Sequence, residues 1–275
     1  MINHVILNGT LAEAGKVGIS PLGEGFLHGR GLFETIKLAA GTPAFFREHV
    51  QRLRRGAGEL GLNWPVSDAE LVRRCSLIAG ANTIADGVLK LVVFQGEDGV
   101  GELILTQESP YGPERHAQGF NLKSVLDGMR AGNLQRLKTL NQLANVTTRA
   151  AARAEGRDEA VFFDSSGELL EGTATNIFVI ARGETRTPGL QAPILPGIVR
   201  AEVIRLGAGG RFEETSVTLA QALEADEVFV TNSLIGVMPV CRIDGREYDL
   251  SRNPVTRSVM RAFRLAEAES INRYC

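Results

Sequence analysis

Apolar and polar positions along the chain divide it into short strands and amphipathic helices. "VILNGTLAE" reads as a strand, a turn at Asn8–Gly9 and a second strand. A strand is predicted from Phe33 to Leu38, then a turn at Ala40–Gly41 and a return strand. In "REHVQRLRRGAGELG", Val50, Leu53, Ala57 and Leu60 recur at helical spacing. Ser67 with Glu70 three residues on is a capping box. It opens a helix whose apolar positions include Leu71, Cys75 and Ile78. "GVLKLVVFQGEDGVGELILTQES" predicts a hairpin closed by a Gly/Asp/Glu turn, and this first part ends near Pro110–Pro113.

The second part begins with a strand in "GFNLKSVLDGM". "LKTLNQLANVTTRAAARAEG" predicts an alanine-rich helix opened by Lys138 and ending at Gly156. Three β segments follow in "EAVFFDSSGELLEGTATNIFVIARGETRTPG". "LPGIVRAEVIRLG" is a turn leading into a helix, and Thr218 with Gln221 caps a short one. "EVFVTNSLIGVMPVCRIDG" returns to strand. The last helix starts at Asn253–Pro254, with Val255, Val259, Ala262 and Phe263 on its apolar face. Strands and helices mix without regular alternation, so the pattern predicts an α+β fold and not a doubly wound sheet. The expected domains are an N-terminal α+β domain at 1–113 and a C-terminal domain at 114–275.

Composition narrows the function classes. The chain has 275 residues, 44% apolar and 23% charged, as a globular protein does. Its net charge of −2, with no block of like charge, lacks the footprint expected of a nucleic-acid binder. No apolar run has the length of a membrane span, and the N-terminus lacks a signal-peptide layout. Cys75, Cys241 and Cys275 form neither a metal-ligand spacing nor a disulfide framework, which fits a reducing cytoplasm. The four histidines make no metal-binding pair. "GEGFLHGRG" matches neither the dinucleotide fingerprint nor the phosphate-binding P-loop, and reads as a turn between strands.

Four features carry chemistry. Lys138 has no carboxylate among its near followers, the first acid downstream being Glu155. Glu171 stands in an otherwise apolar and small-residue strand, where an unpaired carboxylate is costly. After Pro196–Gly197, the amides of Ile198 and Val199 lie at a helix start suited to phosphate. Arg52 completes the group. Each has a bland reading as a surface charge or an ordinary helix start. Together they are what a pyridoxal phosphate site needs: an amine to form a Schiff base, a carboxylate for the pyridine nitrogen, and phosphate donors.

The order "EHVQRL … LKTLNQLANV … DEAVFFDSSGELLEGTATNIFVI … LPGIVR … ADEVFVTNSLIGVMPV" resembles the class IV aminotransferase family of fold-type-IV enzymes, over almost the whole chain. The resemblance implies pyridoxal 5'-phosphate as cofactor, with Lys138 as Schiff-base lysine and Glu171 at the pyridine nitrogen. It further implies Arg52, in the family's H-x-x-R-L motif, and the backbone of Ile198 and Val199 at the phosphate. Ser233 also reaches the phosphate, and Leu195 packs on the ring. Thr35 matches a position that faces the cofactor and assists proton transfer. The implied fold is a smaller N-terminal α+β domain and a larger C-terminal domain with a pseudo-barrel, the cofactor between them and a homodimer completing each site.

Within the family, "GFLHGRGLFETIKL", "GVLKLVV" and "TNSLIGVMPV" are most similar to 4-amino-4-deoxychorismate lyases, which release p-aminobenzoate and pyruvate. The "LKTLNQLANV" and "EGTATNIF" segments suit D-amino acid transaminases equally, and branched-chain transaminases belong to the same group. A third alternative is a relative that kept the fold and lost the cofactor. Relatives often carry an arginine just beyond the strand matching "LVVFQG", where it clamps a substrate carboxylate. Here "QGEDGVGE" has no cation and three acids. The anchor for the small-molecule amino substrate must come from elsewhere, with Lys37, Arg30 and Arg115 as candidates.

Overall fold

The computed structural model describes residues 3–112, 114–126 and 133–273. The chain divides into two compact units that are not contiguous in sequence. The first comprises Met1–Pro110, Leu137–Asn141 and Glu267–Cys275; the second comprises Tyr111–Arg136 and Gln142–Ala266. The segment that carries Lys138 thus belongs with the N-terminal residues, on the far side of the expected 113/114 boundary.

In the first unit the strands are β1 (His4–Leu7), β2 (Thr10–Glu13), β3 (Gly31–Ala39), β4 (Thr42–Pro43), β5 (Gly87–Gln95) and β6 (Val100–Gln107). The helices are the one-turn α1 (Glu24–Leu27), then α2 (Phe46–Glu59) and α3 (Asp68–Ala81). The strands form an antiparallel sheet in the order β2-β1-β6-β5-β3-β4. One face is dry. Leu32, Ile36 and Leu38 of β3, with Leu89, Leu91 and Val93 of β5, join one core with Val50 and Leu53 of α2 and Leu71 and Ile78 of α3. Burying such side chains contributes roughly 1.5–3 kcal/mol each. The residues between them on β3, Phe33, Thr35 and Lys37, are only half-buried, as the period of two along a strand requires. Ser67 caps α3 as expected, its hydroxyl accepting from the Glu70 amide at 3.3 Å.

Here the structure corrects one element boundary. Lys138 does not open a helix. Near its start β3 is paired on one side by β5, while β4 joins β3 only at Leu38 and Ala39. The other edge would leave backbone groups unpaired. Residues 138–140 fill it: the Phe33 amide donates to the Lys138 carbonyl at 2.9 Å and the Leu140 amide to the Gly31 carbonyl at 3.0 Å. Thr139 forms an antiparallel bridge with Leu32. Gly31 permits this approach, because a Cβ there would lie 2.7 Å from the Leu140 side chain and 2.8 Å from the Val93 carbonyl.

In the second unit the chain runs through α4 (Arg115–Gln118), β7 (Phe120–Leu126), α5 (Leu143–Ala154), β8 (Glu159–Phe163), β9 (Leu169–Gly172), β10 (Asn176–Ala181) and β11 (Glu184–Thr187). It continues through α6 (Ile198–Leu206), β12 (Arg211–Glu214), α7 (Leu219–Leu223), β13 (Glu227–Asn232), β14 (Gly236–Ile243), β15 (Arg246–Glu247) and α8 (Pro254–Asn272), whose last residues belong to the first unit. The predicted helix begins at Leu143, and the three predicted β segments are four strands. The strand expected in "EVFVTNSLIGVMPVCRIDG" is a hairpin, broken where the Asn232 side chain accepts from the Leu234 and Ile235 amides. Asp127–Met129, in the predicted strand "GFNLKSVLDGM", lie outside the described residues.

The strands form a mixed sheet in the order β12-β11-β10-β13-β14-β7-β8-β9, with β15 on β14. Ile177, Val179, Val228, Val230, Met238 and Val240 lie in one core cluster. Between them in sequence, Phe178 stacks on Phe229 with centroids 4.6 Å apart. The predicted caps hold here too. Thr218 and Gln221 make a reciprocal capping box, and α8 starts at Pro254, with the Glu227 carboxylate accepting from the Val255 and Thr256 amides. The α+β class is as the sequence predicts.

Candidate active site

In the first unit the site is built around β3. The edge bridge holds the backbone of Lys138, and its Nζ lies 4.5 Å from the centroid of the Phe33 ring. Phe33 and Thr35 share the half-buried face of β3. Between them Glu34 points into the core and is fully buried. A bare carboxylate there would cost several kcal/mol. It is met from α2: Arg52 donates through Nε at 2.8 Å and through Nη2 at 2.7 Å, and His49 Nδ1 lies 2.7 Å away. His49 and Arg52 are three residues apart, on one side of the helix.

The charges of this cluster follow from burial and pairing. Burial alone would push the Glu34 carboxyl up, but the Arg52 guanidinium and His49 outweigh it and bring it down to about 2. Burial lowers the His49 pKa, and the nearby Arg52 and Lys138 charges add to this against the pull of Glu34. We therefore read Glu34 as ionised, chiefly through Arg52, and the imidazole as neutral, with Nδ1–H donating to the carboxylate. The result is an arginine whose orientation is fixed by a bidentate partner beneath it.

In the second unit the candidate residues gather on β9, β10 and the start of α6. Glu171 is buried, and its Oε2 accepts from the Leu195 amide at 3.0 Å and from Asn176 Nδ2 at 3.4 Å. Asn176 Nδ2 also donates to the Leu195 carbonyl at 3.0 Å, and a Cβ on Gly197 would collide with Asn176 Oδ1. One asparagine thus ties the carboxylate to the turn that launches α6. That helix begins at Ile198 with no side-chain cap and no acid in its first turn. A helix start of this kind suits an anion. Ser233 lies in the β13–β14 turn, next to Asn232, which donates to the Ala174 carbonyl at 3.2 Å. Thr231, paired with Asn176 across the strands, carries a buried hydroxyl without a partner among the described residues.

The structure therefore brings Lys138, Thr35 and Arg52 together on or beside β3, and separately gathers Glu171, Leu195, Ile198 and Val199 around Asn176. Lys37, Arg30 and Arg115 each have an acid partner: Lys37 with Glu267 at 2.7 Å, Arg30 with Glu24 at 2.6 Å, and Arg115 with Asp158. Glu34, His49 and Asn176 were not singled out from sequence. His49 is the histidine of the H-x-x-R-L motif, three residues before Arg52. The inward register of Glu34, between half-buried Phe33 and Thr35, is the other available signal.

Comparison with known proteins agrees with this chemistry. Residues 31–243 match the profile of the family described as amino-transferase class IV. The chain belongs to that family. It is 32% identical over 257 residues to a protein of Methanocaldococcus jannaschii assigned as a branched-chain-amino-acid aminotransferase, covering 88% of each chain. It is 31% identical over 270 residues to the D-alanine aminotransferase of Bacillus licheniformis, covering 94% of this chain and 95% of that one. A crystal structure assigned to a 4-amino-4-deoxychorismate lyase of Legionella pneumophila superposes with a TM-score of 0.84 at 26% identity, covering 92% of this chain and 97% of that one. Class IV aminotransferases are pyridoxal phosphate enzymes, and the fold is that of fold type IV. Each unit carries groups of the kind the cofactor takes: an amine and an oriented arginine in the first, and a fixed carboxylate, an uncapped helix start and an orphaned buried hydroxyl in the second.

The cluster under Arg52 gives a pH signature. With its folded pKa near 2 against an ordinary 4.5, ionised Glu34 contributes stability that is complete above about pH 4.5 and lost as pH falls towards 2. Glu34→Gln should flatten the stability profile in that window. It should also cost about 3–5 kcal/mol at pH 7, because Arg52 loses its buried counter-charge. Urea unfolding of both proteins from pH 2 to 7 checks this, and parallel profiles would contradict it.

Proposed function

We infer that the protein is a pyridoxal phosphate enzyme acting on an amino substrate, with 4-amino-4-deoxychorismate lyase as the leading activity. The observation that carries the chemistry is the placement of Lys138 Nζ against Phe33, on the β3 face that also presents Thr35. The lyase assignment rests on the similarity of "GFLHGRGLFETIKL", "GVLKLVV" and "TNSLIGVMPV" to that branch. When bound, the cofactor supplies an electron-withdrawing ring that accepts the electron pair from the carbon bearing the substrate's amine.

The chain's own residues do the rest. Lys138 would hold the cofactor through its Nζ, and the same Nζ would act as the general base that takes the proton from the carbon bearing the substrate's amine. Thr35 assists this transfer. Glu171, aimed by Asn176 and the Leu195 amide, would keep a proton on the cofactor's ring nitrogen. The Ile198 and Val199 amides, Ser233 and Arg52 hold the phosphate, and Glu34 fixes the angle of Arg52. Leu195 would supply an apolar surface for the cofactor's ring. In the lyase, the C–O bond to the enolpyruvyl side chain would break as the ring becomes aromatic; the departing enolpyruvate would take up the proton removed by Lys138 and leave as pyruvate, and p-aminobenzoate would be released.

A second reading, transamination of D-amino or branched-chain amino acids, is favoured by the 32% and 31% identities to aminotransferases. Lys138 would then deliver the proton on the cofactor's side, water would release the substrate as a keto acid, and the amino group left behind would pass to a second keto acid.

One assay with purified protein separates the two. The leading reading predicts p-aminobenzoate release from aminodeoxychorismate without added keto acid. Consumption of D-alanine, D-glutamate or a branched-chain amino acid only when a keto acid is added would replace it with the second.

We also infer a homodimer, supported by exposed apolar side chains: Leu143 and Val146 on α5, and Leu22, Phe26 and Leu27 in and beside α1. Light scattering should give twice the chain mass of 29.6 kDa. A single chain mass at micromolar concentration would contradict this.

A further inference from the structure

Glu171 stands on an edge strand. β9 is four residues long and last in the sheet order, and its pairing with β8 is irregular between Val161 and Phe163. A short edge strand with an interrupted ladder is a loose support for a side chain that must be aimed. One end of β9 is tied where the Leu169 amide donates to the Val217 carbonyl at 2.7 Å. The other end carries Glu171 and runs into the turn 173–175 that leads to Asn176 on β10.

A second buried carboxylate holds that turn. Glu159, the first residue of β8, is only 3% exposed. One of its oxygens accepts from the Ala160 amide at 2.9 Å and from the Thr173 hydroxyl; the other accepts from the Ala174 amide at 3.2 Å. All three partners donate, which suits the acceptor-only character of a carboxylate. Burial pushes the Glu159 pKa up, while the Thr173 hydroxyl, Arg149 and the two amides pull against that rise. Backbone bonds close the same turn. The Thr173 amide donates to the Ala160 carbonyl at 3.0 Å and the Gly172 amide to the Thr175 carbonyl at 2.7 Å. Gly172 leaves the room this needs, because a Cβ there would collide with Thr175 Oγ1.

We propose that Glu159 is a positioning residue of the active site: by bolting Thr173 and Ala174 to β8, it sets where Glu171 and Asn176 stand. It takes no part in the chemistry and acts through the carboxylate just before the turn. The proposal rests on the pyridoxal phosphate reading, in which Glu171 serves the cofactor's ring nitrogen. Glutamine is a poor substitute for Glu159. Its amide keeps one acceptor and turns a donor towards either the Ala160 or the Ala174 N–H, so two donors then face each other.

Two measurements on Glu159→Gln test this, both on the full chain loaded with pyridoxal phosphate. Amide hydrogen exchange in a peptide spanning 170–177 should be about tenfold faster than in wild type, as loss of one hydrogen bond requires. The visible absorbance of the bound cofactor should move in the same direction as in Glu171→Gln, because both changes disturb the group at the ring nitrogen. Glu227→Gln is the control, since Glu227 is also buried in the second unit and accepts from the Val255 and Thr256 amides. It should lower stability and leave the absorbance where it is. Unchanged exchange in Glu159→Gln would overturn the proposal, as would an unchanged absorbance there while Glu171→Gln shifts it; the cofactor reading would stand. An equal absorbance shift in Glu227→Gln would also overturn it, by assigning the effect to lost stability. If Glu159→Gln does not fold, Thr173→Val takes its place under the same criteria. If Glu171→Gln leaves the absorbance unchanged, the reading of Glu171 at the ring nitrogen fails, and the proposal with it.

Discussion

The structure depends on an edge-to-edge backbone contact that places a lysine. Residues 138–140 leave the second unit's run of chain and complete the open edge of β3, with hydrogen bonds between Phe33 and Lys138 and between Leu140 and Gly31. A lysine on a free loop would lose much of its advantage as a base, since a long side chain must be held within a fraction of an ångström to act. Here the backbone is fixed by the sheet, and the aromatic ring of Phe33 limits where the amine goes. Gly31 is part of the same constraint, because a side chain there would push the bridge away.

A second constraint lies under the same strand. Glu34 is buried on the core side of β3, among Leu32, Ile36 and Leu38, and it is tolerated because Arg52 and His49 satisfy it. The cluster adds little to net stability when compared with an apolar substitute. What it supplies is direction: the guanidinium cannot swing while two of its nitrogens hold one carboxylate. In the second unit Asn176 plays the parallel part, holding Glu171 and the turn before α6 in one hydrogen-bonded unit. Both functional groups are thus aimed by a neighbour that does no chemistry. Such support keeps a site on rigid elements and off mobile loops.

Much of the fold was legible in the sequence because its signals are local. The Asn8–Gly9 hairpin, the caps at Ser67 and Thr218, and the proline that opens α8 depend on residues a few positions apart. The residues proposed to carry the cofactor chemistry are named through the ordered motifs of one family. Two kinds of feature were not. "LKTLNQLANV" has helical propensity throughout, yet its first residues are extended, because the demand of β3 for an edge partner comes from more than a hundred residues away. Glu34 sits beside Thr35, which was recognised, but its role depends on which face of β3 turns inward. Asn176 likewise gains meaning only from cross-strand register, which spacing along one segment cannot give.

The central claim is that one amine, Lys138, holds the cofactor. Borohydride reduction of the cofactor-loaded protein, followed by peptide mass mapping, tests it most directly. The account predicts a single pyridoxyl adduct, on the peptide containing Lys138, abolished by Lys138→Ala. An adduct on any other peptide, or none at all, would contradict it.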